Sequence, residues 1–246
     1  MNGLGERATR PSFTVELVGI PGSGKSRLAR WLATELGRRG VPVAQPQRHY
    51  DSTVPAGRRI TRKAVACTAV SLAAPAHTAR LVGRLAQSGQ SRSADVAGRL
   101  VQLLVARDVA RRAARHPGVS VVDEGLVQAL WSVGLRGDLS PVLPLFTAVE
   151  HEQPADLLVV LRVPSEIALS RLSARSSQHS RIQLVPESDR LAELKRGARL
   201  LDELVEWWVS RPGGPREVCA LAHLDEDSPE RAQLLERLYA AAAGLG

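Results

Sequence analysis

Short runs of apolar residues alternate along the chain with longer segments in which apolar residues recur every three or four positions. The short runs predict five strands, near positions 13–18, 41–46, 119–122, 156–163 and 217–221. The longer segments have the spacing of amphipathic helices. The run at 156–163 is the most hydrophobic, which is typical of a parallel strand covered on both faces. This alternation predicts an α/β protein.

The longest helical stretch separates the second and third predicted strands. It covers residues 58–116, with breaks near Pro75 and at 88–93. Its first residues form a basic cluster, composed of Arg58, Arg59, Arg62 and Lys63. This cluster is interpreted either as a solvated helix face or as an anchor for an anionic acceptor, and the pattern leaves both interpretations open.

The junction of the first strand and the first helix carries the most specific motif. Residues 13–30 read FTVELVGIPGSGKSRLAR, which matches the phosphate-loop pattern G-x-x-x-x-G-K-[ST] in its required strand-to-helix context. The glycines let backbone N–H groups approach phosphate oxygens, and the helix start adds its positive dipole end. A chance Gly/Ser turn with a lysine is the weaker alternative. The predicted nucleotide-binding residues are Gly19, Pro21, Gly22, Ser23, Gly24, Lys25, Ser26 and Arg27.

The third strand ends in acidic residues. The segment VSVVDEG places Asp123 and Glu124 directly after an apolar run. In phosphate-loop proteins an acid at this point holds the Mg²⁺ shell or accepts a hydroxyl proton. We therefore predict that Lys25 follows the β- and γ-phosphates, that Ser26 and Asp123 hold Mg²⁺, and that Asp123 and Glu124 act in catalysis. A loop carboxylate or a helix N-cap is the alternative.

Polar residues also follow the second strand. Because ligands collect beyond the carboxyl ends of strands in open α/β sheets, Arg48, His49 and Asp51 are candidates for contacts to an acceptor. A solvated loop explains them equally well.

Arginines are grouped after the fourth strand. Arg171 and Arg175 lie four residues apart on a predicted helix, and a polar run leads from there to Arg181. Guanidinium groups around a mobile loop can bind the equatorial oxygens of a transferring phosphoryl group. The alternative is an ordinary helix with solvated arginines.

Composition narrows the class of partner. The net charge of +8 favours anionic partners, but aromatic residues make up only 3% of the chain and no basic run is interleaved with them, which disfavours nucleic acid. Residues 1–12 form a loose leader without an apolar core, and no stretch is long and apolar enough to span a membrane. We expect a cytoplasmic protein, and a homodimer is compatible with the sequence.

With these motifs in place, the chain resembles the P-loop kinases of the nucleoside monophosphate kinase class, and most closely the thymidylate kinase-like group. The resemblance rests on GIPGSGKS, on VVDEG and on LRVPSEIALSRLSARSSQHSRIQ. It implies a P-loop fold with a five-stranded parallel sheet, helices on both faces and a helical insertion between strands 2 and 3. It further implies one kinase-like domain over residues 13–246, with an acceptor-side insertion at 58–116 and a lid at 171–185 that carries Arg171, Arg175 and Arg181.

Two departures from that group bear on the substrate. Thymidylate kinases have an Arg-Glu-Pro-Gly type motif after strand 2 and an Asp-Arg pair after strand 3, whereas this chain has PQRHYDS and DEG. We therefore expect transfer of the γ-phosphate of Mg·ATP to a hydroxylated or anionic small molecule other than thymidylate. The alternative is a nucleotide-dependent switch or accessory ATPase that acts through a partner protein. A GTPase switch is disfavoured, since the guanine-selective motif N-K-x-D does not occur.

Overall fold

The computed structural model describes residues 12–51, 53–147, 155–174, 182, 185–222 and 228–244. The strands in these ranges are β1 (Ser12–Gly19), β2 (Val43–Ala44), β3 (Gly118–Val122), β4 (Leu157–Leu161) and β5 (Glu217–Leu221). The α-helices in the same ranges are α1 (Lys25–Arg38), α2 (Ala56–Ala73), α3 (Pro75–Gln87), α4 (Ser93–Arg115), α5 (Leu126–Gly134), α6 (Ser165–Ser173), α7 (Arg190–Ser210) and α8 (Pro229–Ala243). At least one helix follows every strand.

The strands form one parallel sheet in the order β2-β3-β1-β4-β5. The central strand, β1, pairs with both β3 and β4. Glu16 of β1 lies level with Val122 of β3, and Gly19 lies level with Leu161 of β4. Because parallel strands end at the same edge, the loops that follow β1, β3 and β4 meet there.

Helices cover both faces of this sheet. On one face Leu17 packs in a buried cluster with residues of α1 and α8, and on the other Val18 packs with residues of α5 and α7. All residues of β4 are buried, as its sequence predicts. The expected α/β fold is confirmed: a five-stranded parallel sheet with helices on both faces and a helical segment between strands 2 and 3.

That segment consists of α2, α3 and α4, and its breaks fall where the sequence predicts them. The chain turns between Ala73 and Pro75, and again between Gln87 and Ser93. No single helix in the described ranges has both the length and the hydrophobicity to cross a bilayer; α2 and α3 meet that test only as a pair, which is bent by 112°.

Several element boundaries differ from the sequence prediction, most of all that of the second strand. The strand expected over residues 41–46 is reduced to β2, and Pro46 begins a 3₁₀ helix, Pro46–Tyr50. Proline has no N–H for the strand ladder, so Pro42 and Pro46 limit pairing at this edge of the sheet. Ser12, assigned above to the leader, is the first residue of β1 and pairs with Gly118. The rest of the leader, residues 1–11, lies outside the described part of the chain.

The burial pattern gives a test of the core with a matched control. Leu17 is fully buried in β1, whereas the side chain of Leu72 in α2 is 77% exposed. We expect Leu17→Ala to lower the free energy of unfolding by about 2–5 kcal/mol, because it leaves a cavity in the sheet core. Leu72→Ala should change it by less than about 0.5 kcal/mol. Urea denaturation of both variants measures the difference, and equal losses would contradict the assigned core.

Candidate active site

The turn between β1 and α1 is a compact loop closed by its own hydrogen bonds. The backbone N–H of Ser23 donates to the carbonyl of Ile20 at 3.1 Å. The Lys25 ammonium donates to the carbonyl oxygens of Gly19 at 2.6 Å and Ile20 at 3.3 Å. These bonds hold the positive charge of Lys25 against the loop.

Two glycines are required by the shape of this loop. Gly22 and Gly24 have φ angles of +86° and +96°, which residues with a Cβ rarely adopt. A Cβ on Gly22 would also lie less than 3.0 Å from the carbonyl oxygen of Ala168 in α6. Helix α6 therefore packs directly against the phosphate loop.

The N-terminus of α1 is suited to an anion. Its N-cap is Gly24, no side chain caps it, and its first turn contains no acidic residue. The first N–H groups of a helix lack intrahelical partners and carry its positive dipole end, so they favour a phosphate. Ser26 and Arg27 are exposed in this turn, and Ser23 is buried, with no hydrogen-bond partner for its hydroxyl in the described part of the chain.

The acidic residues after β3 lie beside this loop, because β3 pairs with β1. Asp123 is buried, whereas the Glu124 side chain reaches solvent. The pKa of Glu124 is raised, first by burial and then by the neighbouring charge of Asp123, while Lys25 and Lys63 oppose the rise and Asp51 adds to it. These five residues therefore form one charged cluster around Glu124. The sequence alone indicates them only as separate candidates.

Asp51 shapes its own turn as well as contributing to this cluster. Burial alone would raise its pKa, but hydrogen bonds from the Thr53 hydroxyl and N–H and the charge of Arg48 lower the pKa overall. Arg48 and His49 are exposed, and the Arg62 guanidinium donates to the carbonyl of His49 at 3.3 Å. The beginning of α2 is thus attached to the 3₁₀ helix that precedes Asp51.

A buried polar network next to Asp51 was not predicted from the sequence. The hydroxyl of Tyr50 donates to Asp108 of α4 at 2.5 Å, and Arg112 donates to the same carboxylate oxygen at 2.6 Å. Burial, followed by the hydrogen bond to Asp108, raises the pKa of Tyr50 to about 12, so the phenol remains neutral and can donate. The sequence feature that could have indicated this network is Asp108, an acidic residue within an apolar stretch of α4.

The predicted arginines are described only in part. Arg171 is exposed in the last turn of α6, one turn beyond Ala168, which touches the phosphate loop. Arg175 and Arg181 lie outside the described residues, as does most of the predicted lid.

The donor set fits Mg²⁺ only in combination with phosphates. No group of three or more His, Cys, Asp or Glu side chains in the described ranges could hold a metal ion by itself. Mg²⁺ usually binds through one or two carboxylates, waters and substrate phosphates. The buried Asp123 beside a loop that can hold phosphates meets this requirement, and the raised pKa of Glu124 indicates acids that a nearby cation would stabilise.

Solved structures show which fold this is. The chain matches deoxyadenosine kinase from M. mycoides with the products dCMP and a flexible dCDP bound, with a TM-score of 0.55 and 14% identity over 93% of this chain and 100% of that chain. The same kinase with bound dATP matches with a TM-score of 0.53 and 13% identity over 92% and 99%. No protein-family model and no curated protein matches the sequence. The predicted P-loop kinase fold is confirmed, since both structures of that kinase share it.

The raised pKa of Glu124 predicts a cost in stability. A carboxyl with a higher pKa in the folded than in the unfolded chain binds its proton more tightly when folded, so stability falls as pH rises from the unfolded value of about 4.3 through the folded value. We expect Glu124→Gln to raise the thermal midpoint of the nucleotide-free protein at pH 7.5, and this gain to vanish near pH 4.

The control for this prediction is Glu236→Gln. Glu236 is exposed, and its hydrogen bond with Arg39 lowers its pKa, so the substitution should leave the midpoint unchanged or reduce it slightly. A fall in the midpoint of Glu124→Gln at pH 7.5 would contradict the assigned environment.

Proposed function

We propose that this protein is a phosphotransferase that moves the γ-phosphoryl group of Mg·ATP to a small-molecule acceptor, and that the acceptor is a nucleoside or a close analogue. One observation carries the proposal: a complete phosphate loop after β1 lies beside Asp123 and Glu124 after the adjacent strand β3. The likeness to a kinase whose structures hold dCMP and dCDP or dATP supports a nucleoside-type acceptor and an ATP-like donor.

On the donor side, backbone N–H groups and the charge of Lys25 bind the phosphates of ATP. Backbone N–H groups of the phosphate loop and of the N-terminus of α1 bind the phosphates. Lys25 already lies against this loop, and its ammonium follows the charge on the β- and γ-phosphates during transfer. The Gly22 contact with α6 keeps the loop rigid, so little reorganisation accompanies the reaction.

Mg²⁺ would supply positive charge that neutralises the negative charge developing during transfer. Ser26 and Asp123 are the residues that would hold it. Ser26 is exposed at the start of α1, and Asp123 is buried at the end of β3. With Asp123 so engaged, Glu124 orients the acceptor hydroxyl and takes its proton.

On the acceptor side, we assign the pocket to the segment of residues 58–116 and to the turn that ends at Asp51. Lys63 and Asp51 both contribute to the charge around Glu124, which supports an acceptor site bordered by α2 and this turn. The remaining proposed element is the lid at residues 171–185, whose arginines close over the transferring group and exclude water. They are Arg171, Arg175 and Arg181.

Deoxynucleosides are the first acceptors to test. The motifs after strands 2 and 3 depart from those of thymidylate kinases, and dCMP is a product in one structure of the similar kinase. The assay is ADP release from Mg·ATP by the purified protein, alone and with deoxyadenosine, deoxycytidine, thymidylate or a sugar. Stimulation by a nucleoside supports the proposal. Slow hydrolysis that no acceptor stimulates, or that a partner protein stimulates, would instead indicate an accessory ATPase or a switch.

Lys25 offers a direct test of the donor site with a matched lysine as control. Lys25→Ala should reduce turnover by about 10²-fold or more, the usual loss for one preorganised electrostatic contact. Lys195 in α7 is exposed and pairs with Glu166 at 2.7 Å, so Lys195→Ala should leave turnover unchanged. Both are measured as ADP release at saturating acceptor. Full turnover by Lys25→Ala would remove the phosphate loop from the mechanism.

Substitution of Asp123 tests the role of the acidic residues after β3. Asp123→Asn should retain nucleotide binding but slow transfer by about 10²-fold or more, because the neutral amide is a weaker Mg²⁺ ligand than the carboxylate. Asp202→Asn is the control, since Asp202 is an exposed residue of α7 paired with Arg162 at 3.1 Å. Calorimetric titration with a non-hydrolysable ATP analogue and single-turnover transfer separate the two effects. Unimpaired transfer by Asp123→Asn would exclude Asp123 from catalysis.

A further inference from the structure

The central strand contains a buried acid that the proposed chemistry does not use. Glu16 is 5% exposed, while its neighbours Val15 and Leu17 are fully buried. A buried carboxylate is costly unless hydrogen bonds or charges compensate it. The partners of Glu16 therefore indicate why β1 has an acid at this position.

The carboxylate reaches the helix that follows the catalytic acids. Glu16 Oε1 accepts a hydrogen bond at 2.9 Å from the backbone N–H of Val127, the second residue of α5. The N-cap of α5 is Gly125, which has no side chain to cap the helix. Glu16 supplies this cap from another strand, and its negative charge suits the positive end of the helix dipole.

The glycine at the N-cap is explained by the same carboxylate. Gly125 has φ −96° and ψ −159°, an extended conformation open to any residue. A Cβ there would lie 2.9 Å from Glu16 Cγ and closer still to its carboxylate. The side chain of Glu16, rather than backbone strain, thus excludes a larger residue. Gly125 directly follows Glu124, so the Glu16 side chain contacts the backbone immediately after the proposed catalytic acids.

The first turn of α5 also contacts the phosphate loop. The side-chain oxygen of Gln128, in this turn, accepts a hydrogen bond from the backbone N–H of Gly19 at 3.4 Å. The turn is therefore attached to β1 at two levels, through Glu16 and through Gly19. These bonds link the donor half of the site to the half that contains Asp123 and Glu124.

We infer that Glu16 is a positioning residue, which caps α5 and thereby fixes Asp123 and Glu124 relative to the phosphate loop. It acts through α5 and Gly125 and does not touch the substrate. This inference rests on the proposed phosphoryl transfer. A small displacement of reacting groups can lower a rate by about 10²-fold. We therefore expect loss of the Glu16 carboxylate to lower kcat more than nucleotide affinity.

The experiment compares Glu16→Gln, Glu16→Ala, Gly125→Ala and the Glu16→Ala/Gly125→Ala double variant. Glu16→Ala should lower kcat about 10–100-fold while the Kd for Mg·ATP changes less than about threefold. Glu16→Gln keeps an oxygen that can accept from Val127, so its kcat should recover to within about threefold of the wild-type value. Gly125→Ala should lower kcat when Glu16 is present and have little effect in the Glu16→Ala background, because the clashing carboxylate is gone.

Two readouts do not need activity, so they separate failure of this inference from failure of the proposed function. Hydrogen exchange at the Val127 amide should be slow in the wild type and in Glu16→Gln, and fast in Glu16→Ala. The thermal midpoint should fall on Gly125→Ala only when Glu16 is present.

The inference is overturned if Gly125→Ala has equal effects in both backgrounds or if Val127 stays protected in Glu16→Ala. It is also overturned if kcat and nucleotide affinity fall together with the folded fraction, which would be a purely structural role. Absence of transfer by the wild type would refute the kinase proposal, while the exchange and midpoint results would still decide the capping role.

Discussion

The parallel pairing of β1 with β3 is the interaction on which the candidate site depends. In this register Glu16 lies level with Val122, where β3 ends, and β1 continues to Gly19. The phosphate loop and the Asp123–Gly125 turn therefore leave the sheet side by side. A slip of one residue would send every side chain of β1 to the opposite face of the sheet, and Glu16 would lose its contact with α5. The site is thus a property of the sheet register as well as of its two motifs.

This arrangement brings several carboxylates into or near the protein interior, where a negative charge is unfavourable unless it has partners. The carboxylates differ in how far the fold supplies such partners. Two acids are stabilised within the fold: Glu16 accepts from the Val127 N–H, and Asp108 accepts from Tyr50 and Arg112. Glu124 instead has a raised pKa, because partial burial and the neighbouring charge of Asp123 both disfavour its charged form. Perturbed acids of this kind concentrate at functional sites, where a cation or a substrate completes their environment. The contrast distinguishes acids that support the structure from the acid at the proposed reaction centre.

The sequence predicts those features that depend on local pattern. The phosphate loop, the α/β order of elements, the helix breaks at Pro75 and 88–93, and the acids after the third strand all follow from short stretches of residues. What it could not predict depends on contacts between distant residues. Glu16 and Val127 are 111 positions apart, and Tyr50 and Asp108 are 58 positions apart. No periodicity encodes such pairs, although an acid inside an apolar strand or helix face marks where a partner is required.

The fate of the γ-phosphoryl group tests the central claim most directly. ATP labelled with ¹⁸O at the three terminal oxygens of the γ-phosphate would be incubated with the protein, Mg²⁺ and a deoxynucleoside, and the products analysed by mass spectrometry. We expect the heavy phosphoryl group on the nucleoside as its 5′-monophosphate, with little heavy inorganic phosphate, since the proposed closure of the site would exclude water. Heavy inorganic phosphate alone, with every acceptor tried, would contradict phosphoryl transfer as the function of this site.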